Sequence, residues 1–347
     1  MDADRQAAAH ASLAGARPPG AAGPAPEAEA LRRAYLDLLK LAVCDLVGTR
    51  TMSVGAMPGG TVMARELRGD GRRLRAAGMD WPLEGLTMLG LPRLDDLQAC
   101  VESVVADGVA GDMIEAGSWR GGASMLIRAT LDTLGDGRTV YVADSFQGFR
   151  PGAQDESDSD LSRFDFLAVP EQEVRDSFAR LGLERGVELV PGYFEHTLPP
   201  LAGHPWALVR LDGDTYEATR HGLRCLYPGL AVGGYLILDD YGSFEGCRQA
   251  VDEFRAEHGI SEPIEPVDFT GARWRRTSAA PVAVGEIEAP AAPAPPPRDE
   301  AERDRHVPTA QEVDLAARLA AAEAELERLR ADATSGRRAA LRRALRP

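Results

Sequence analysis

The sequence predicts an α/β fold: a doubly wound, mainly parallel sheet, with an N-terminal helical region before it and a C-terminal helical tail after it. Three observations predict it. Short apolar strands alternate with helical stretches from residue 112 to 257. A Gly-rich turn follows the first of these strands. Acidic residues stand at the ends of two later ones.

Taken in order, residues 1–28 are rich in Ala, Pro and Gly, carry too little apolar surface to fold, and are expected to be disordered. The domain is expected over 29–280. It opens with Leu31, Tyr35, Leu38, Leu39 and Ala42 at helical spacing. Residues 50–80, rich in Gly and Arg, read as loop and short helix, and Arg93 to Ala106 as an amphipathic helix. Strands follow at Asp112–Ala116, Val140–Ala143, Val187–Val190, Ala207–Leu211 and Tyr235–Leu238. Helices are expected to about Leu134 and over Glu171–Leu181, Tyr216–Leu226 and Glu245–Glu257. Segments at Pro266–Phe269 and Arg273–Arg276 have the length to close the sheet as a hairpin. The acidic stretch 155–166 reads as a lid or as a solvated loop. Residues 281–308, with the run APAAPAPPP, form an extended linker. In 309–347, Leu315, Leu319, Ala322, Leu326 and Leu329 predict a coiled-coil-like helix able to take a protein partner.

Composition narrows the function. A formal charge of −15 argues against nucleic-acid binding, which needs a basic face. No apolar run is long enough to cross a bilayer, and the first residues lack the pattern of a secretory signal. Cys44, Cys100, Cys225 and Cys247 form no CxxC pair, so a cytoplasmic protein without a disulfide framework is expected. Lys40 is the only lysine in the chain. His196, His204, His221 and His258 show no metal-ligand spacing; His196, after Tyr193-Phe194, is the one placed to reach a pocket.

The first strand turns into Glu115-Ala116-Gly117-Ser118-Trp119-Arg120-Gly121-Gly122. A Gly-rich turn there lets backbone approach a ligand closely. Glu115 stands where a dinucleotide site has its first glycine, and its anion would repel a pyrophosphate. S-adenosylmethionine has no phosphate and carries a sulfonium and an ammonium, which suit a carboxylate. Asp144 ends the second strand, about thirty residues on, and an acid there can accept from both hydroxyls of a ribose. The alternative reading makes Glu115 a salt-bridge residue and Asp144 a turn cap.

Asp212 and Asp214 end the fourth strand, and Asp239 and Asp240 the fifth. Strands lie about 5 Å apart, so these carboxylates can converge on one hard cation such as Mg²⁺. Asp214 reads as an outer partner of the ion or as the cap of the following helix. In the bland alternative, Asp212-Gly213-Asp214 is a turn and Asp239-Asp240 a helix cap. The DxD spelling also suits a metal-dependent glycosyltransferase.

Several ordered motifs carry a family resemblance. They are Tyr35-Leu36-Asp37-Leu38-Leu39-Lys40, the turn from Glu115 to Gly122, Ala143-Asp144-Ser145-Phe146-Gln147-Gly148, and Pro191-Gly192-Tyr193-Phe194. Thr197-Leu198-Pro199, Arg210 to Thr219 and Gly233 to Tyr241 complete the set. Together they resemble the macrocin O-methyltransferase (TylF-like) family, over about residues 31–277. The resemblance implies a class I methyltransferase (Rossmann-like) fold and an O-methyltransferase acting on a sugar hydroxyl of a glycoside or related natural product. It implies S-adenosylmethionine at Glu115, Ala116, Gly117, Ser118, Trp119, Asp144, Ser145, Gly148, Tyr193 and Phe194, enclosed by Thr87 and Met88. It implies Mg²⁺ on Asp212, Asp239 and Asp240, and a homodimer. Related catechol methyltransferases carry a lysine base three residues after the first metal-binding aspartate; this chain has Thr215 there, which makes Asp212 the candidate catalytic base. Two other functions stay open: the glycosyltransferase, and a non-catalytic scaffold working through its C-terminal helix.

Overall fold

The computed structural model describes residues 26–56, 62–151 and 160–283. The N-terminal extension before residue 26, the linker beyond residue 283 and the helical tail lie outside the described residues. So does the portion of the acidic stretch before residue 160.

The order of elements is helix α1 (Pro26–Val43), strands β1 (Met52–Ala56) and β2 (Val62–Glu66), and helices α2 (Gly71–Ala76) and α3 (Leu91–Ala106). The alternating region follows with β3 (Asp112–Ala116), α4 (Gly122–Leu134), β4 (Val140–Asp144), α5 (Glu171–Leu181), β5 (Val187–Pro191) and the single turn α6 (Phe194–Thr197). It ends with β6 (Trp206–Leu211), α7 (Tyr216–Leu226), β7 (Leu230–Leu238), α8 (Glu245–His258), β8 (Glu265–Pro266) and β9 (Ala272–Arg275). The main sheet runs β5-β4-β3-β6-β7-β9-β8. The strands from β5 to β7 are parallel, and β9 is antiparallel to both β7 and β8. The order reverses between β3 and β6, so their carboxyl ends form the crevice where open sheets of this kind bind ligands.

Burial explains the strands. All six residues of β6 are buried, as befits a central parallel strand covered on both faces. Arg210 is its one charged residue. One face packs α1, α3 and α4 through Leu36, Leu97, Val101 and Leu126; the other packs α7 and α8 through Leu223, Leu226, Val251 and Phe254. The helix ends follow local chemistry: Gly135, Gly182 and Gly259 take left-handed φ at the ends of α4, α5 and α8. Lys40 of α1 is buried, its Nζ 2.5 Å from Asp95 of α3 and 2.9 Å from Asp37.

The structure departs from the sequence reading at four places. Met52–Ala56 and Val62–Glu66 pair as the antiparallel strands β1 and β2, where loop and short helix were expected. Helix α1 already runs through residues 26–28, which the sequence assigned to the extension. Strand β7 begins at Leu230, five residues earlier than expected. The described portion of the acidic stretch is packed rather than solvated: Phe164 and Phe166 lie 5.3 and 5.2 Å from Trp81, and Leu161 is buried. No helix of the described residues is long and apolar enough to cross a membrane.

Candidate active site

The turn after β3 is fixed by its own chain. Gly117 has φ +93°, and a Cβ there would lie 1.7 Å from the Asp212 carbonyl oxygen, so only glycine lets β3 and β6 meet at their ends. The Asp212 N–H donates to the Ala116 carbonyl at 2.8 Å and completes the junction. Ser118 and Trp119 turn toward β4: both donate their N–H groups to Asp144 Oδ2, at 2.8 and 3.0 Å. Asp144 Oδ1 accepts from the Phe146 N–H at 2.9 Å, which leaves lone-pair capacity on that oxygen. Ser145 Oγ donates to the Gly148 carbonyl and shapes the next turn.

The segment carrying Thr87 and Met88 lies against this turn. Gly122 N–H donates to the Leu86 carbonyl at 2.9 Å, and Arg120 donates to the carbonyls of Leu83 and Gly85. Thr87 is buried and Met88 half-buried. Trp119 Nε1 donates to the Phe166 carbonyl, 3.0 Å away, which joins the packed stretch at 160–167 to the same turn. Tyr193 lies under the Arg150 guanidinium, 3.6 Å from its ring centre. Phe194 reaches the Asp212-Gly213-Asp214 bend, where a Cβ on Gly213 would sit 3.5 Å from its ring. Ser118, Trp119 and Asp144 are thus joined where β3 and β4 end, and the segment carrying Thr87 and Met88 packs against the same turn. His196 sits beside Glu195, Nε2 to Oε1 3.8 Å.

Glu115 faces inward. It is 1% exposed, its Oε1 accepts from Arg210 Nη1 at 2.6 Å, and its Oε2 accepts from both the N–H (2.9 Å) and hydroxyl of Ser124. Ser124 is in the first turn of α4, where N–H groups lack helical partners, so Glu115 caps that helix from the strand. Burial pushes its carboxyl upward, against the pull of Arg210 and Ser124.

The acids gather at the ends of β6 and β7. Ligand oxygens of Asp212, Asp214 and Asp240 lie within 4.8 Å of one another. Burial, together with the neighbouring carboxylates, holds Asp212 and Asp240 well above the usual range. Clustered acids of this kind favour a shared cation. Asp214 adopts φ +57° and donates its N–H to Asp240 Oδ2 at 3.0 Å. It does not cap α7; Thr215 does, its Oγ1 accepting from the Ala218 N–H.

Asp239 stands outside that trio. Its Oδ2 accepts from Arg93 Nη1, and its Oδ1 lies 2.5 Å from Arg210 Nη2. Burial raises its carboxyl, but Arg93 and Arg210 outweigh this and hold it below the usual range. Arg210 Nη2 also donates to Asp212 Oδ2 at 2.9 Å, and Arg93 Nε lies 3.0 Å from Asp268 Oδ2. Sequence reasoning missed both arginines. A signal was present in Trp206–Leu211: a charge inside a wholly apolar strand must meet an opposite charge when buried.

Comparison with known proteins bears on this crevice. The family model described as macrocin-O-methyltransferase (TylF) matches residues 34–276. The chain is 44% identical over 258 residues to the "8-demethyl-8-(2,3-dimethoxy-alpha-L-rhamnosyl)-tetracenomycin-C 4'-O-methyltransferase" of Streptomyces olivaceus, covering 72% of this chain and 95% of that one. It is 38% identical over 253 residues to the "Mycinamicin III 3''-O-methyltransferase" of Micromonospora griseorubida, covering 70% and 96%. Among solved structures, the O-methyltransferase NovP superposes with a TM-score of 0.64 at 37% identity, covering 71% of this chain and all of that one.

Proposed function

The chain belongs to the macrocin-O-methyltransferase family and is an O-methyltransferase with the class I fold, and from that premise we propose that it uses S-adenosylmethionine and Mg²⁺ to methylate a sugar hydroxyl of a natural-product glycoside. The observation that carries the reading is the junction of β3 and β6, where the Gly117 turn and the carboxylates of Asp212, Asp214 and Asp240 share one crevice. One relative is named for a rhamnosyl-bearing tetracenomycin and another for mycinamicin III, both as O-methyltransferases, which supports the acceptor class. A glycosyltransferase or scaffold reading has no such support.

The residues fit both groups. Oxygen-only donors on adjacent strand ends suit Mg²⁺, and burial with mutual repulsion makes a cation their natural complement. Asp212 and Asp240 belong both to the set expected from the resemblance and to the observed trio. Asp239 would join them by giving up Arg210, whose Nη2 it shares with Asp212; Asp214 stands at the third corner as the side chains lie. For the donor, Asp144 Oδ1 has capacity for a ribose hydroxyl, the backbone of Gly117–Trp119 leaves room for close approach, and Tyr193 and Phe194 supply apolar walls. Glu115 acts from below, holding the first turn of α4.

When bound, the donor supplies the methyl group and the ion the Lewis acidity that lowers a hydroxyl's pKa. The chain's own role is positional and basic. Asp212, Asp214 and Asp240 would hold the ion against which the acceptor hydroxyl is positioned, and Asp212 would take the hydroxyl proton. The packed stretch around Phe164 and Phe166 lies against the Trp119 side of the turn.

The test is transfer of labelled methyl from S-adenosylmethionine to a panel of deoxysugar glycosides, with and without chelator, using wild type and Asp212→Asn. Transfer should stop on chelation and in the variant, while the variant, compared with wild type in the absence of Mg²⁺, keeps its affinity for S-adenosylhomocysteine within about threefold, since donor binding there does not pass through the base. Full turnover after removal of divalent ions would overturn the reading.

A further inference from the structure

Arg210 touches more of this site than any role as a simple counter-ion requires. It is 1% exposed, and its guanidinium reaches three carboxylates, one near the end of β3 and one just past each of β6 and β7. Nη1 holds Glu115 at the end of β3 at 2.6 Å, and Nη2 holds Asp212 at 2.9 Å and Asp239 at 2.5 Å. Register explains the reach: Arg210 pairs with Glu115 on one side and Ile237 on the other, so Asp212 and Asp239, two residues further on, stand on its own face of the sheet. The opposite oxygen of Glu115 holds Ser124 in the first turn of α4.

We propose that Arg210 is a positioning residue that couples the acid cluster to the donor turn through the continuous set Asp212–Arg210–Glu115–Ser124. The guanidinium is planar and rigid, so its two nitrogens move as one body. A cation that draws Asp212 or Asp239 toward itself loosens that carboxylate's contact to Nη2. The other end of the fork is held by Glu115 at 2.6 Å, so a shift at Nη2 is passed to that contact. Glu115 in turn fixes the start of α4, whose preceding residues, Gly117 to Gly121, form the turn proposed to meet the donor. Occupancy at one site is therefore felt at the other, and reciprocally. The proposal rests on the functional reading above but adds a residue and a linkage to it.

The experiment is calorimetric titration of S-adenosylhomocysteine into the full-length protein, with saturating Mg²⁺ and without it. The probe's sulfur is neutral, which removes the direct repulsion between ion and sulfonium. In wild type the dissociation constant should change by about fivefold or more between the two conditions. Arg210→Lys keeps the charge but not the fork. Glu115→Gln keeps the shape and an acceptor for Ser124 but loses the charge that draws Nη1. In each variant, with folding checked by circular dichroism, the change should shrink to about twofold or less while the probe still binds. Coupling of wild-type size in either folded variant overturns the proposal, as does a wild type that binds both ligands with no linkage between them. A wild type that binds neither Mg²⁺ nor the probe instead overturns the functional reading itself.

Discussion

Gly117 and the acids show how narrowly single residues set this crevice. A methyl group on Gly117 would stand 1.7 Å from the Asp212 carbonyl oxygen, so Gly117→Ala must push the ends of β3 and β6 apart. We expect it to cost about 3 kcal/mol or more by urea denaturation and to abolish methyl transfer; a loss below about 1 kcal/mol would show that the junction yields easily. Asp214 and Asp239 can be told apart by the same means. Asp239→Asn leaves Arg93 and Arg210 short of a buried partner and should cost roughly 3 kcal/mol. Asp214→Asn keeps a residue type that tolerates φ +57°. It should change stability by less than about 0.5 kcal/mol while weakening Mg²⁺ binding, read by titration of the ion alone. That acids stand at the carboxyl ends of β6 and β7 was legible, because the apolar runs before them mark the strands. What the sequence hid was which acids meet: Asp239 turns to Arg93, which is 146 residues away and visible only once α3 packs on the sheet.

Among the elements, the parallel core was legible almost strand by strand, since β3, β4, β5 and β6 are apolar runs closed by turns. The β1–β2 hairpin was not. Its strands, MSVGA and VMARE, lack a clean alternation, and Ser53 is buried through hydrogen bonding to the Trp81 carbonyl rather than through apolar packing. The hairpin at the sheet edge carries the pH prediction. Glu262 Oε1 accepts from the Thr277 and Ser278 N–H groups at 2.9 and 3.0 Å and so pins the chain beyond β9. Burial raises its carboxyl, but these backbone donors outweigh burial and hold it down to about 2. A depressed folded pKa means stabilisation that is complete above the unfolded value of about 4.3 and is lost as pH falls through the folded one. Glu262→Gln should therefore destabilise the protein by about 2 kcal/mol at neutral pH, with the gap to wild type closing as pH falls from about 4 toward 2. A gap that stays constant over that window would remove the charge from the account.

The whole molecule divides by what its relatives share. The alignment with the tetracenomycin methyltransferase covers 95% of that chain but 72% of this one, and the family match ends at residue 276. A chain cut back to residues 26–283 should thus keep methyl transfer within about twofold, as measured by turnover of labelled donor; loss of turnover would assign the ends a role in the reaction. Burial of Lys40 between α1 and α3 also has a practical use. As the sole lysine it is the only side-chain amine in the chain. Reagents that acylate amines will find it shielded and proton-bearing until α1 lifts away. Its rate of modification, followed by mass spectrometry, is a built-in clock for the opening of that helix, with no engineered label needed.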